Sequence, residues 1–570
     1  MLNTSNDQRK LLPNFDQLFA TTAQAPGGVA RLRELILTLA VQGKLVTQDA
    51  NDEPASELLK KIRVEKDRLI AEGKIKKDKP LAAIRGEEKP FELPVGWEWV
   101  RLGTVVNASE AGWSPSCIST PRRDGNWGVL KVSAVSWGKF DSAANKELPP
   151  DLQSKPEYEV KNGDFLLSRA NTADLVARSV LVVKTEPKLM LSDKIIRLDI
   201  SSQINRAFIN LVNNSIFSRM HYAANSSGTS SSMKNVSREV VLALPVSLPP
   251  LAEQSRIVTR VEELMRLCDA LEEKGRLEHT QHQQLLQALL DSLTQTQSAQ
   301  ELACHWQRLA QYFDLLIDRP EAVDALEQTI LQLAVRGLLV EQDPSDEPAS
   351  ELYAKIQAER SGLAAAGLLK KIKQLAEPEI IVGRNGWVDV ALGDLIELIS
   401  GQHLGPSEYV EGLSDEIPYL TGPAEFGEKY PTPSRSTNER RSVSIMGDIL
   451  ITVKGSGVGK LNIVSQDEIA ISRQLMAIRP LMVNSDFVYI FLETMGNFFQ
   501  EKTVGIAIPG IGREDVNMAK IGLPPLAEQS RIVARVTELR ALCQQLREKL
   551  TQARSTQTQL AQAWVEQAVT

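Results

Sequence analysis

The stretch LPPLAEQSRIV occupies residues 248–258, and the same eleven residues return at 523–533, 275 positions later. An identity of that length is an internal repeat, and it sets the reading of everything around it. Both copies read as the start of a helix. Pro249-Pro250 and Pro524-Pro525 suit a first turn, where a missing N–H costs nothing. Glu253 and Glu528 follow at the positive end of the helix dipole. Apolar residues then recur at Ile257, Val261, Leu264, Cys268 and Leu271, and at Ile532, Val536, Leu539, Cys543 and Leu546. This 4,3 spacing is that of a coiled-coil seam, with Cys268 and Cys543 as buried small hydrophobes. The first helix is expected to run to about Ser298, about 70 Å at 1.5 Å per residue.

A second repeat has a different offset. LILTLAVQGKLV with DEPASELLKKI (35–62) returns as TILQLAVRGLLV with DEPASELYAKI (329–356), shifted by 294. The match reaches upstream through Phe19/Phe313 and Pro26/Pro320, and downstream through Gly73/Gly367 to Lys76-Lys77 and Lys370-Lys371. Gly43 and Gly337 suit the left-handed position after a helix end. The centre of the chain holds both repeats in succession, the N-terminus only the second kind and the C-terminus only the first. Side by side, the two ends would rebuild the centre: a circular arrangement with a pseudo-two-fold axis.

Between these helical parts lie residues 95–248 and 386–522, rich in Gly, Ser and Pro with short apolar runs such as SVLVVK, KIIRLDI, DILITVK and LNIVS, which read as strands joined by polar loops. Both open alike, GWEWVRLG at 96–103 and GWVDVALG at 386–393, and both carry a central Gly-Asp, at 163 and 447. Elsewhere they diverge, as expected of two readers of different ligands on similar scaffolds.

At 570 residues several domains are expected, and 42% hydrophobic with 24% charged residues is ordinary for a globular protein. No apolar run is long enough to span a membrane and no secretory signal is visible, so the chain reads as cytoplasmic. The four cysteines lack C-x-x-C spacing, and the five histidines (221, 279, 282, 305, 403) form no ligand set, His279 and His282 reading as a polar helix face. The Asn/Asp-Pro-Pro-aromatic signature of adenine methyltransferases is absent. KGSGVGKLN (454–462) fails the phosphate-loop spacing, because Lys454 stands where the first Gly belongs and Leu461 replaces Ser/Thr. Glu87-Glu88-Lys89 resembles half a nuclease signature but sits in a charged stretch that reads as a solvated linker. No catalytic residue emerges. Residues 95–250 carry 18 Lys+Arg against 14 Asp+Glu, whereas 386–522 carry 11 against 18, so the first domain suits nucleic acid better than the second.

Two divergent domains, each followed by a helix opening LPPLAEQSRIV, with the circular helical repeat around them, resemble a specificity subunit of a type I restriction-modification system, of the type IB-like kind. The resemblance covers essentially the whole chain. It implies an α+β fold with two globular mixed α/β target-recognition domains separated by long antiparallel coiled-coil helices. The divisions are then 1–94 (N-terminal helical region), 95–248 (first recognition domain), 249–385 (central helical region), 386–522 (second recognition domain) and 523–570 (C-terminal helix). Each recognition domain would read one half of a bipartite double-stranded DNA site. The helices would set the spacer and dock two methyltransferase subunits, to which motor-nuclease subunits add. The chain itself would hold no cofactor or metal; S-adenosylmethionine, ATP and magnesium would belong to the partners.

The resemblance points to regions for DNA contact, and residue chemistry selects within them: Trp113, Ser114, Arg122, Arg123, Lys131, Arg169, Asn171, Lys234 and Asn235 in the first domain, and His403, Lys454, Lys460, Arg473, Gln474 and Arg513 in the second. Singly, each also reads as ordinary surface charge, and Trp113 also as core. Methyltransferase docking would use Leu251, Glu253, Gln254 and Arg256, with Leu526, Glu528, Gln529 and Arg531. Two other readings stand beside this one: a helical scaffold that binds no DNA, and an autonomous methyltransferase or nuclease with unrecognised motifs.

Overall fold

A computed structural model of the chain describes residues 15–569, apart from 78–79, 124, 137, 229–232, 297, 368–378, 381–385, 456 and 504–509. Residues 1–14 of the expected N-terminal helical region, Lys370-Lys371 and residues 229–232 of the loop before Lys234 lie outside the described residues. The chain divides into two compact units, Met1–Leu277 with Arg554–Thr570, and Glu278–Ala553.

In the first unit, helices Phe15–Gln24, Gly28–Val41 and Ala55–Ala71 precede the first variable domain. That domain enters on strand Glu98–Arg101 and leaves on Pro245–Leu248, and these two pair antiparallel with Glu98 opposite Leu248. Between them stand a four-stranded sheet, in the order Val106–Ala111, Ile195–Ile200, Phe165–Ser168, Ser179–Leu181, and a three-stranded sheet with Gly128–Leu130 at its centre. Helices Arg206–Asn214 and Ile216–Asn225 follow, capped by the side chains of Asn205 and Ser215. The long helix Leu251–Thr294 then begins, four residues short of the expected end.

The second unit repeats this plan with its own loops. Helices Pro320–Val335 and Ala349–Ala365 precede a domain that enters on Val388–Ala391 and leaves on Lys520–Leu523, again antiparallel neighbours, with Val388 opposite Leu523. Inside it are a four-stranded sheet led by Ile396–Ser400 and a five-stranded sheet ending at Val443–Ile445. Helix Ser485–Thr494 covers the first of these, and the second long helix is Leu526–Val569. In both domains the Gly-Asp landmark has one function. Asp164 and Asp448 each accept a backbone N–H three residues upstream and an arginine, Arg197 and Arg479 respectively.

The apolar seams of the long helices are buried against the short repeat helices. Ile257, Val261, Leu264 and Cys268 share a core with Leu32, Ile36 and Ala40. Ile532 and Val536 join Leu331 and Ala334, while Leu539, Cys543 and Leu546 pack with Leu326 and Ile330 and with Leu286, Leu290 and Leu293 of the first long helix. Burial raises the Cys268 and Cys543 thiol pKa values above the usual range, which suits inert core residues. Glu88 departs from the expected solvated linker. It binds the buried Arg101 guanidinium through both oxygens, at 2.8 and 2.9 Å, which holds its carboxyl at about 2.

Gly43 and Gly337 follow the short helices with φ of +72° and +66°. A Cβ there would stand 2.9 Å from Trp97 and 2.8 Å from Trp387, the tryptophans of the two Gly-Trp motifs. Gly367 has a similar φ of +74° but nothing within 4 Å. Gly367→Ala should therefore cost only the left-handed strain, roughly 1–2 kcal/mol, and Gly337→Ala about twice that or more, because an indole must also move. Urea unfolding of the two variants checks this ordering.

Candidate nucleic-acid interface and helix joints

The LPPLAEQSRIV, Gly-Trp and DEPASEL motifs of each unit converge on one joint. In the first, Trp97 Nε1–H donates to Glu253 Oε2 at 2.9 Å; in the second, Trp387 donates to Glu528 at 3.0 Å. The next residue fastens the domain. Gln254 Oε1 accepts from the backbone N–H of Asn205 at 3.0 Å and its amide donates to the Pro249 carbonyl, as Gln529 does with Asn484 and Pro524. Asn205 and Asn484 are themselves N-caps of domain helices, so the glutamine ties the domain to the long helix at a helix start. Arg256 pairs with Asp52 and Arg531 with Asp346, which join the DEPASEL segments to the same turn. The Gly96 and Gly386 carbonyls accept from Ala55 and Ala349 N–H, both at 2.8 Å.

This geometry corrects the expected docking set. Glu253, Gln254, Glu528 and Gln529 are all at most 1% exposed and hold the chain's own joints. Arg256 and Arg531 are partly exposed but held by their aspartates. Leu251 and Leu526 remain on the surface, at 41% and 47% exposed. A first-turn glutamate reads in sequence as a solvent-facing dipole partner; the tryptophan that turns it inward lies about 150 residues away.

In the first domain the structure brings several candidate DNA residues to one rim. Arg169 N–H donates to the Lys194 carbonyl, and the Arg169 carbonyl accepts from Val236. Strand Lys234–Asn235 pairs with Ala170–Asn171, which sets Lys234 opposite Asn171. Trp113 N–H reaches the Leu191 carbonyl beside this rim. Its ring packs with Val129, Leu148 and Met190 under Lys155, while Ser114 meets Asp193. Arg122 and Arg123 are tied instead to the strand Asn145–Glu147: Arg122 N–H bonds Asn145 and Arg123 N–H bonds Glu147. The Arg122 guanidinium is held by two carbonyls. Lys131 is half-buried, directly after Gly128–Leu130.

The second domain builds the same rim with other side chains. Val453 N–H donates to the Gln474 carbonyl, the Val453 carbonyl accepts from Ile511, and Lys454 bridges Gly510. Gln402 N–H meets the Ile471 carbonyl, which places His403 where Ser114 stands in the first domain. Lys460 lies alongside, its carbonyl accepting from Thr452, and Arg513 donates to Ser400. Residues 508–509, before Arg513, lie outside the described residues. Matching the rims reveals Lys194, half-exposed at the seat of Gln474, as a cation the sequence reading missed. The strand openings KIIR and QLMA carry no sequence likeness that would have aligned them.

Several arginines of the acidic second domain are already committed to carboxylates. Arg435, Arg440 and Arg441 are bound to Glu411, Glu468 and Glu408, and Arg479 to Glu397 and Asp448. Among the described residues, the side chains of Arg169, Lys454, Lys460 and Arg473 have no hydrogen bond or ion pair. No described group of three or more His, Cys, Asp or Glu could hold a metal. No described helix is long and apolar enough to cross a membrane. His282 is half-buried, its ring 3.5 Å from Asp318.

The family model for the type I restriction modification DNA specificity domain matches residues 94–280 and 384–553. The type I restriction enzyme EcoEI specificity subunit of Escherichia coli is 33% identical over 571 residues, 95% of this chain and 94% of that one. The EcoAI specificity subunit of the same species is 32% identical over 564 residues, with the same shares covered. Among solved structures, the HsdS subunit from Thermoanaerobacter tengcongensis is 23% identical, with a TM-score of 0.41, over 85% of this chain and 98% of that one.

Burial raises the Glu253 and Glu528 carboxyls above the usual range, against the indole donor and the neighbouring arginine, which pull them down. A carboxyl raised on folding contributes its linked stability below its unfolded value and loses it as pH rises through the folded one. Glu253→Gln keeps an acceptor for Trp97 without a buried charge, so it should stabilise the chain at pH 8, with the gain fading toward pH 5. Glu253→Ala leaves the indole N–H unpaired and should cost about 1–3 kcal/mol. Denaturant titrations at the two pH values measure both effects.

Proposed function

Because the chain belongs to the family of type I restriction-modification specificity subunits, we propose that it is the DNA-reading subunit of such a complex, with each variable domain reading one half of a bipartite site. The observation that carries this reading is the pair of matched rims, each set on a divergent domain above an equivalent joint. On them the side chains of Arg169 in one domain, and of Lys454, Lys460 and Arg473 in the other, have no hydrogen bond or ion pair among the described residues. Unpaired cations at strand ends are what phosphate contact requires, and divergent neighbours such as Asn171, Asn235, His403 and Gln474 supply donors and acceptors for base edges.

The chain is read as non-catalytic. Two methyltransferase subunits with S-adenosylmethionine, and motor-nuclease subunits with ATP and magnesium, would supply the chemistry. Leu251 and Leu526, exposed at two equivalent helix starts, suit two copies of one partner. The long helices are proposed to run as an antiparallel pair about a pseudo-two-fold axis, in a cytoplasmic complex.

A scaffold that binds no DNA is favoured by one observation, the excess of acidic residues in 386–522. Salt dependence separates the two readings. Binding of the assembled modification complex to its site should weaken steeply with salt, and Lys454→Ala and Arg473→Ala should each lower the log–log slope by about 1. A salt-independent affinity would favour the scaffold.

The helices should also measure the DNA. Four residues added to each member of the central helix pair, keeping the apolar register, lengthen it by about 6 Å and overshoot a turn by about 40°. One base pair contributes about 3.4 Å and about 35°. The methylated sites of this variant should keep their half-site sequences and gain one base pair of spacer, or two. An unchanged spacer would show that the helices are no ruler.

A further inference from the structure

The two short repeat helices differ in charge at four equivalent positions, and at one of them the sign is reversed. Arg33 in Gly28–Val41 and Glu327 in Pro320–Val335 stand 294 apart, the offset of their repeat. Glu272 and Arg547 on the long helices stand 275 apart, the offset of theirs. In the first unit Arg33 Nη2 lies 2.9 Å from Glu272 Oε2 and 2.7 Å from Asp269. In the second, Arg547 Nη2 lies 2.9 Å from Glu327 Oε2 and 2.8 Å from Asp324, and Arg540 Nε lies 3.1 Å from Glu327. The contact is the same, with cation and anion exchanged between the helices.

The central apolar residues of the interface do not tell these helices apart, although Met265 packs where the second unit has Arg540. Leu32 and Leu326, Ile36 and Ile330, Leu264 and Leu539, and Cys268 and Cys543 are identical residues in equivalent seats. On packing alone, Gly28–Val41 would fit the second long helix as well as the first. Charge forbids that exchange: Arg33 would face Arg547 and Arg540, and Glu327 with Asp324 would face Asp269 and Glu272. Pairs as exposed as these add little net stability. Their effect is discrimination, as when flanking charges choose partners in a coiled coil.

We infer that the inverted pairs are a pairing code, by which each short helix selects its own long helix and rejects the other, whether in the same chain or in a second copy. The code matters most during folding, when two interchangeable apolar faces would otherwise allow crossed joints and chains swapped between copies.

The test installs the second joint's residues in the first: Arg33→Glu, Asp269→Gln and Glu272→Arg in the full chain. This joint stays internally satisfied, but the two polarities become alike. After refolding from denaturant over a range of concentrations, light scattering should find a several-fold larger share of dimers and larger species than in the wild type, at a similar thermal midpoint. A second variant, Arg33→Gln with Glu272→Gln, erases the first pair without adding charge and should show the same change to a smaller extent. Refolding of both variants to the wild-type size distribution would overturn the code.

Discussion

A buried glutamate, reaching an indole N–H at 2.9–3.0 Å, holds each variable domain to its long helix. A buried carboxylate is tolerable only where donors meet it, and here the donor comes from the first residues of the domain itself. Six of the eleven repeated residues are accounted for around this contact. The two prolines begin the helix beneath Gly96 and Gly386, and the glutamine fixes a domain helix through its N-cap. The arginine binds the DEPASEL aspartate. The isoleucine enters the core beside the short repeat helix. The stretch is repeated because the joint is repeated.

From the joint outward, constraint falls away. Each domain enters and leaves on adjacent antiparallel strands, so the chain between them can change without moving the helices. The inner sheets keep a common ladder, with the Gly-Asp turn and the backbone bonds of Arg169 and Val453, while the side chains on that ladder differ. A scaffold fixed by backbone hydrogen bonds and a half-buried ion pair leaves its rim free to vary, which is what a family of DNA readers requires.

The repeats, the helix starts and the strand-rich domains were legible in the sequence because periodicity and punctuation are local. Gly43 and Gly337 show φ values that suit the left-handed helix ends read for them, and Cys268 and Cys543 are core residues. What escaped depended on partners far along the chain. Glu253 and Gln254 look like surface residues until Trp97 and Asn205 are placed beside them. Glu88 looks solvated until Arg101 reaches it. Lys194 lies in a segment with no sequence likeness to its counterpart, and only the shared ladder reveals it. The inverted pairs of Arg33 and Glu327 were visible as charges in the repeat but not as contacts.

The central claim is that two equivalent joints carry two independent readers of DNA. It is tested most directly by replacing residues 386–522 with the corresponding domain of a relative and mapping the methylated sites across a genome by long-read sequencing. The account predicts that one half of the recognised sequence changes, with the other half and the spacer intact. A change in both halves together would contradict it.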